Sequence, residues 1–169
     1  MRWDRALYVG VAGTALAVLV GCGGGTGGTA GSSSGTTVTA RDIPSVGSTL
    51  VDSIGRTLYF ADQEAGGQVK CTGDCATFWL PLTVPTGTIP SAGAGVGGSL
   101  AVIDRPDGSR QVTYDGKPLY SFTHDGGAGT ALGNGFRDSF GGVEFLWHVA
   151  VASGSAPTPA DTGGGGYGY

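Results

Sequence analysis

The chain has 169 residues, of which 35 are glycine and only 13% are charged. This length suits one folded domain, and so high a glycine content is typical of flexible segments beside it. The net charge of −4 lacks the basic excess that binds phosphate backbones, so nucleic acid is not expected as a partner.

The N-terminus predicts an export signal. Arg2 and Arg5 precede an apolar stretch over residues 6–20, which as a helix would span about 22 Å. The hydrocarbon core of a bilayer is about 30 Å thick, so this stretch is too short to cross it comfortably. A basic start followed by a short apolar stretch is typical of a cleaved signal peptide, here residues 1–21.

The apolar stretch ends in Leu19-Val20-Gly21-Cys22, which resembles the lipobox of bacterial lipoproteins. The resemblance implies cleavage before Cys22, a diacylglycerol on its thiol and a further acyl chain, such as palmitate, on the new amino end. Two or more acyl chains anchor a protein stably. We therefore expect a protein held on the extracytoplasmic face of the cell membrane, with residues 22–42 as a Gly/Ser/Thr linker.

Residues 43–152 predict an all-β domain, because short runs of β-branched and aromatic residues alternate with turn dipeptides. The predicted strands are Leu50-Val51, 57–60, 100–103, 111–114, 119–122 and 143–151. One helical turn is predicted from Asp74 to Leu80, where Pro81 would stop it. The glycine-rich tail 153–169 is predicted to be disordered.

Two segments of this domain are related in sequence. Residues 49–60 align with residues 111–122, and both have a strand, a turn with glycine, a basic residue and then Leu-Tyr. Glycine supplies the positive φ that such turns need. We therefore expect a small compact sheet built from two related hairpin repeats, at about 46–82 and 99–151.

The repeats resemble a known family, the tandem "secreted repeat of unknown function" of bacterial lipoproteins, which carries a Tyr-x4-Asp motif. Tyr120 and Asp125 match that motif, whereas Glu64 follows Tyr59 where the family has Asp. The resemblance covers essentially all of residues 46–150. It implies a domain type and a location in the cell envelope, and it brings no established activity.

A cysteine pair lies within the part of the chain that resembles the family. The run from Cys71 through Cys75 to Trp79-Leu80-Pro81 is similar to the family's cysteine-containing segment leading to Trp-Pro, with Leu80 inserted. Two cysteines four apart on a turn can lie within disulfide range. A disulfide here would add about 2 kcal/mol of stability.

The same cysteines leave a second hypothesis open. A copper-binding or thiol-redox pair could use Cys71 and Cys75 with His124 or His148, as in C-x3-C copper-delivery proteins of thioredoxin fold. The βαβ pattern of that fold is absent from the sequence. Two isolated histidines do not make a metal site, so we expect no metal and no cofactor.

Four aromatic and acidic residues are candidates for binding a partner protein or a glycan. They are Tyr59, Tyr120, Asp125 and Trp79. The alternative is that such aromatic residues form the core and the cross-strand pairs of a small sheet. A hydroxyl of Tyr120 bonded to Asp125 would be a structural contact as easily as a binding site.

The sequence favours a binding or structural role over catalysis. No G-x-S-x-G elbow is present, and the carboxylates lie mostly beside glycine in turns. We therefore expect a non-enzymatic, membrane-anchored envelope lipoprotein that binds an envelope protein or glycan. The alternative is an extracytoplasmic copper or thiol-redox accessory protein.

Overall fold

Strands are the main regular secondary structure in the part of the chain that the structure describes. This computed structural model describes residues 37–44 and 46–152. Its strands are β1 Val38–Ile43, β2 Gly47–Asp52, β3 Tyr59–Ala61, β4 Trp79–Pro81, β5 Leu100–Asp104, β6 Arg110–Tyr114, β7 Lys117–Pro118, β8 Tyr120–Phe122, β9 Arg137–Phe140 and β10 Val143–Val149. Helix α1 is Cys75–Phe78, and a 3-10 turn covers Asp62–Glu64. The predicted all-β class is confirmed.

The hairpins β1–β2 and β5–β6 are built alike. Val38 lies opposite Asp52 in the first hairpin, and Leu100, at the corresponding position of the second, lies opposite Tyr114. The turn that follows the second strand of each hairpin differs in length by one residue. Val51 bridges to Thr57, six residues later, whereas Thr113 pairs with Pro118, five residues later. The two-repeat architecture predicted from the sequence is therefore confirmed.

The shorter turn shows why the sequence places Asp-Gly there. Asp115 has a φ of 48° and Gly116 has a φ of 79°. Two successive positive φ values define the type I′ turn, whose twist matches that of the flanking strands. Asp is one of the few side chains that tolerate this region, and glycine occupies it without steric cost.

A five-stranded sheet with the order β4-β8-β3-β10-β9 joins the two repeats. At its centre, Tyr59 of β3 lies opposite Tyr120 of β8. Strand β4 of the first repeat pairs with β8 of the second, and β10 of the second repeat pairs with β3 of the first. Each repeat therefore completes the sheet of the other.

Backbone hydrogen bonds outside the paired strands of this sheet also connect the two repeats. The Leu82 N–H donates to the Leu119 carbonyl at 2.9 Å, and the Ala150 N–H donates to the Leu58 carbonyl at 2.8 Å. These bonds relate equivalent positions of the two repeats. A pseudo-twofold axis thus passes through the centre of the β3–β8 pair.

The buried side chains form two clusters. The first surrounds the five-stranded sheet and contains Tyr59, Ala61, Cys71, Cys75, Trp79, Tyr120, Phe122, Phe145, Trp147 and Val149. The second lies where the hairpins meet and contains Val38, Leu50, Leu58, Phe60, Val112, Tyr114, Leu119, Ala150 and Ala152. Both clusters draw on both repeats, so burial of apolar surface couples the two halves.

Some predicted boundaries differ from the structure. The linker was predicted to extend to residue 42, yet β1 begins at Val38, which is 0% exposed and belongs to the second cluster. The predicted helical turn ends at Phe78 instead of Leu80, because pairing with β8 draws residues 79–81 into β4. Strand β9 was not predicted, and it pairs with β10 through the two-residue turn Gly141-Gly142.

Several predictions fall outside the described residues. These are the signal peptide 1–21, the lipidated Cys22, the linker up to residue 36 and the tail 153–169. They stay predictions. Within the described ranges, no helix has both the length and the apolar character needed to cross a bilayer.

Candidate functional site

The two tyrosines predicted to bind a partner lie at the centre of the fold. Tyr59 and Tyr120 face each other across the β3–β8 pair, and both are 0% exposed. Short strands, each flanked by a strand of the other repeat, hold them there. Neither side chain can touch a partner while the domain is folded, so their contacts are internal.

Each tyrosine lies against the acidic residue of the other repeat's motif. The Tyr59 hydroxyl donates to Asp125 Oδ2 at 2.7 Å. Burial raises the pKa of Tyr59, and the Asp125 carboxylate raises it further. Burial likewise raises the pKa of Tyr120, with the negative charge of Glu64 as the next cause.

The Tyr-x4-acid motif is therefore a contact between repeats and not within one. Each strand ends two residues after its tyrosine, so it does not extend to the acidic residue of the motif. In the first repeat, a 3-10 turn at Asp62–Glu64 follows β3 directly. Asp125 is half-buried, and its other oxygen accepts the Leu132 N–H at 2.9 Å. Burial raises the pKa of Asp125, and the bond from Tyr59 opposes that shift.

Trp79 is likewise an interior residue. Its indole is 0% exposed and stacks on the indole of Trp147 with ring centroids 3.8 Å apart. Both indole N–H groups donate to Asp138 of β9, at 2.7 Å from Trp79 and 3.0 Å from Trp147. The two tryptophans occupy equivalent positions of the two repeats. Sequence reasoning missed Asp138 because its partners are remote in the chain.

A pair of opposite charges is buried beside the disulfide. Glu64 Oε1 accepts the backbone N–H groups of Lys70 and Cys71, at 2.5 and 2.6 Å. Arg105 donates to the Cys71 carbonyl at 2.8 Å and to Gln111 Oε1 at 2.5 Å. The peptide units around Cys71 thus bind both charges. Among the described residues, Glu64 Oε2 has no hydrogen-bond partner.

The predicted disulfide is present. Cys71 and Cys75 are bonded, with Cα atoms 5.2 Å apart, and both residues are 0% exposed. Reactive thiols need access to solvent or to a partner, and this pair lies within the first core cluster. The disulfide therefore fixes the loop that carries the Glu64 and Arg105 contacts.

The histidines of the copper hypothesis have other neighbours. His124 stacks on Phe78 with centroids 5.7 Å apart, and His148 Nε2 lies 3.1 Å from Asp62 Oδ2. Within residues 37–44 and 46–152, no three His, Cys, Asp or Glu side chains converge in a way that could hold a metal ion. No arrangement in the described domain favours copper chemistry.

Removing the disulfide tests its structural role. The double substitution Cys71→Ala with Cys75→Ala is expected to lower the free energy of unfolding by about 2 kcal/mol, since so small a ring restricts the unfolded chain modestly. Urea unfolding followed by circular dichroism measures this. An unchanged urea midpoint would show that the loop around Cys71 is held by its hydrogen bonds alone.

The aromatic residues that reach solvent lie close together. Phe78 and Phe136 are 42% and 41% exposed, and His124 is exposed beside them. Phe78 contacts both His124 and the half-buried Phe140, with centroids 5.7 and 5.5 Å apart. Buried Phe122 joins His124 to Phe136. We call Phe78, His124, Phe136 and Phe140 the aromatic face.

Buried aromatic rings and the disulfide support the aromatic face. The rings of Phe122 and Trp79 stack with centroids 4.2 Å apart, and the Trp79 ring also contacts Phe136. Phe78 ends helix α1, whose first residue is the disulfide-bonded Cys75. Phe136 and Phe140 lie far along the chain from Phe78. Only the folded structure brings these elements together and shows that the residues lie side by side.

Comparison with known proteins agrees with these repeats. The profile of a family described as "secreted repeat of unknown function" matches residues 36–83 and 101–150. No curated protein and no solved structure matches the chain. The two matched regions carry the two hairpins and the two tryptophan strands. The chain therefore belongs to the family of secreted repeats of unknown function.

Proposed function

We propose that the mature protein is anchored to the outer face of the cell membrane by lipid on Cys22, and that its domain binds a neutral glycan of the cell envelope. Membership of a secreted family supports export. The short apolar leader ending at Cys22 supports cleavage and lipidation. The domain binds this glycan without catalysing a reaction on it.

The aromatic face carries the proposal for binding. Exposed aromatic rings held in place lose little conformational entropy when they contact a ligand, and they offer a large apolar area. The rings of Phe78 and His124 are within 17° of parallel, so their faces have nearly the same orientation. The C–H faces of sugar rings pack against such surfaces, and neighbouring polar groups can bind hydroxyls.

Charge favours a neutral ligand over an anionic one. Without Arg2, Asp4 and Arg5 of the predicted leader, 7 basic and 12 acidic side chains remain, a net charge of −5. A protein of this charge repels polyanions at low salt. Phosphate-rich envelope polymers are therefore disfavoured, and uncharged polysaccharide is favoured.

Cosedimentation with insoluble chitin, an uncharged polymer of N-acetylglucosamine, tests the binding proposal. We expect the mature chain to pellet with this glycan and soluble N-acetylglucosamine oligomers to compete. Phe78→Ala with Phe136→Ala should weaken binding by at least about fivefold, since each aromatic contact contributes about 0.5–1.5 kcal/mol.

The matched control is Ile89→Ala, which removes an apolar side chain that is 81% exposed and lies outside the aromatic face. It should leave cosedimentation unchanged. Equal binding by the control and by the double phenylalanine variant would overturn the assignment of this surface.

The anchoring proposal is tested separately. Cys22→Ala should release the exported protein from the membrane fraction into the medium. Intact-mass analysis of the native product should show residue 22 at the amino end, carrying acyl chains. A native product with an unmodified Cys22 would contradict the anchor and leave the binding proposal standing.

A further inference from the structure

One strand edge of the first hairpin is covered by a short segment of the same chain. The Val38 N–H donates to the Ser91 carbonyl at 3.2 Å, and the Gly93 N–H donates to the Val38 carbonyl at 2.7 Å. The Ala40 N–H donates to the Ala94 carbonyl at 3.1 Å. Val38 and Ala92 form a parallel bridge. Residues 91–94 thus pair in parallel with the edge of β1 that faces away from β2.

The corresponding edge of the second hairpin is open within the described chain. Strand β5 is the end strand of the order β5-β6-β7, and it shares the register of β1. In antiparallel pairs of this register, Leu100 and Val102 direct their backbone groups away from β6, as Val38 and Ala40 direct theirs away from β2. No segment in residues 37–44 or 46–152 bonds to that edge of β5.

The exposed edge lacks the features that usually protect one. Strand β5 reads Leu-Ala-Val-Ile-Asp, with no proline or lysine and with its single charge at the last residue. Natural edge strands avoid pairing with other chains by such charges, prolines or bulges. Leu100 is only half-buried, whereas Val38, its counterpart under residues 91–94, is 0% exposed. A strand added to β5 would bury Leu100 in the same way.

We propose that the outer edge of β5 is a docking site for an extended, uncharged peptide segment of a partner protein, which adds to the sheet as a parallel strand. The main-chain groups of Leu100 and Val102 bind it, as those of Val38 and Ala40 bind residues 91–94. This mode of recognition takes its affinity from backbone hydrogen bonds and its selectivity from the side chains that the edge can accept. The site lies on the three-stranded sheet and does not depend on the proposed glycan function.

Close packing at β1 indicates the composition of the segment. A Cβ atom on Gly95 would come within 2.8 Å of the Ala40 Cβ, so only glycine fits there. The counterpart of Ala40 on β5 is the larger Val102. The docked segment therefore carries glycine where it passes Val102.

A synthetic peptide of residues 89–97, Ile-Pro-Ser-Ala-Gly-Ala-Gly-Val-Gly, is a suitable probe. It is added to the full ¹⁵N-labelled mature chain carrying Cys22→Ser. We expect the amide resonances of Leu100 and Val102 to shift and their hydrogen exchange to slow by about tenfold at saturation. The amides of Val38 and Ala40 should not change, because their edge is already occupied.

Two matched changes test the backbone contacts. A peptide with N-methylglycine at the position of Gly93 keeps its side chains but loses the donor to the Leu100 carbonyl, and should bind about fivefold more weakly. Val102→Pro removes the N–H on the open edge, a position where edge strands tolerate proline. This variant should lose peptide binding while keeping the near-UV circular dichroism of the folded domain.

Two results would overturn the proposal. One is the absence of any shift at Leu100 and Val102 with the unmodified peptide at millimolar concentration. The other is faster exchange of these two amides in a chain ending at Ala152 than in the full chain. That result would show that the chain's own C-terminal residues already hold the edge. If Val102→Pro unfolds the domain, the N-methylated peptide still decides the question with the native sequence.

Discussion

Replacing Trp79 by alanine is expected to lower the free energy of unfolding by about 3–5 kcal/mol. The side chain is fully buried, stacks on Trp147 at 3.8 Å and packs against Phe122 at 4.2 Å. Its removal leaves a cavity and also removes one of the two indole N–H donors to Asp138. Domains of this size have only about 5–15 kcal/mol of stability, so the variant should be close to unfolding at 37 °C.

Urea unfolding followed by far-UV circular dichroism measures the effect of Trp79→Ala. The matched control is Phe78→Ala, one residue earlier, whose side chain is 42% exposed; its cost should be below about 1 kcal/mol. Trp79→Phe, which keeps a ring and loses the N–H, should fall between the two. Similar urea midpoints for both alanine variants would contradict the placement of Trp79 in the core.

Raising the pH above about 10 is expected to destabilise the domain progressively. Unfolded tyrosines ionise near pH 10, whereas burial and the neighbouring carboxylates raise the pKa values of Tyr59 and Tyr120 in the folded state. Above pH 10 the unfolded chain releases protons that the folded chain retains. Stability then falls by about 1.4 kcal/mol per pH unit for each tyrosine, or about 2.8 kcal/mol per pH unit for both. Below pH 10 this contribution is fully present.

Tyrosinate absorbance and circular dichroism, recorded together against pH, check this expectation. Loss of the circular dichroism signal should accompany ionisation of the two buried tyrosines. Tyr59→Phe should reduce the pH dependence of stability by one proton, and it also removes the hydrogen bond to Asp125. Ionisation of every tyrosine with an intact sheet would contradict the raised pKa values.

The sequence predicted the local structure well. Alternating β-branched and aromatic residues located β2, β5, β6, β8 and β10, and the Asp-Gly turn follows from the backbone freedom of its two residues. The short strands β4 and β9 carry no such signal. Residues 79–81 become a strand only because β8 lies beside them, so tertiary pairing decides their conformation.

The candidate site was only partly predictable. Tyr59, Tyr120, Trp79 and Asp125 were predicted as candidates for binding a partner. The two tyrosines and Trp79 are instead fully buried, and a sequence motif does not show which repeat supplies its partner. Asp138 and Arg105 act through contacts with residues far along the chain. The aromatic face likewise forms from α1, β9 and two turns that meet only in three dimensions.

The exchange of strands between the repeats favours an origin by duplication of a single repeat. A polypeptide with one repeat would bury the same tyrosines and tryptophans only by dimerising with an identical molecule. Duplication followed by fusion would turn such a homodimer into a monomer without altering its interior. Once joined, the halves could diverge independently, and Glu64 in one against Asp125 in the other is a difference that a symmetric dimer could not encode.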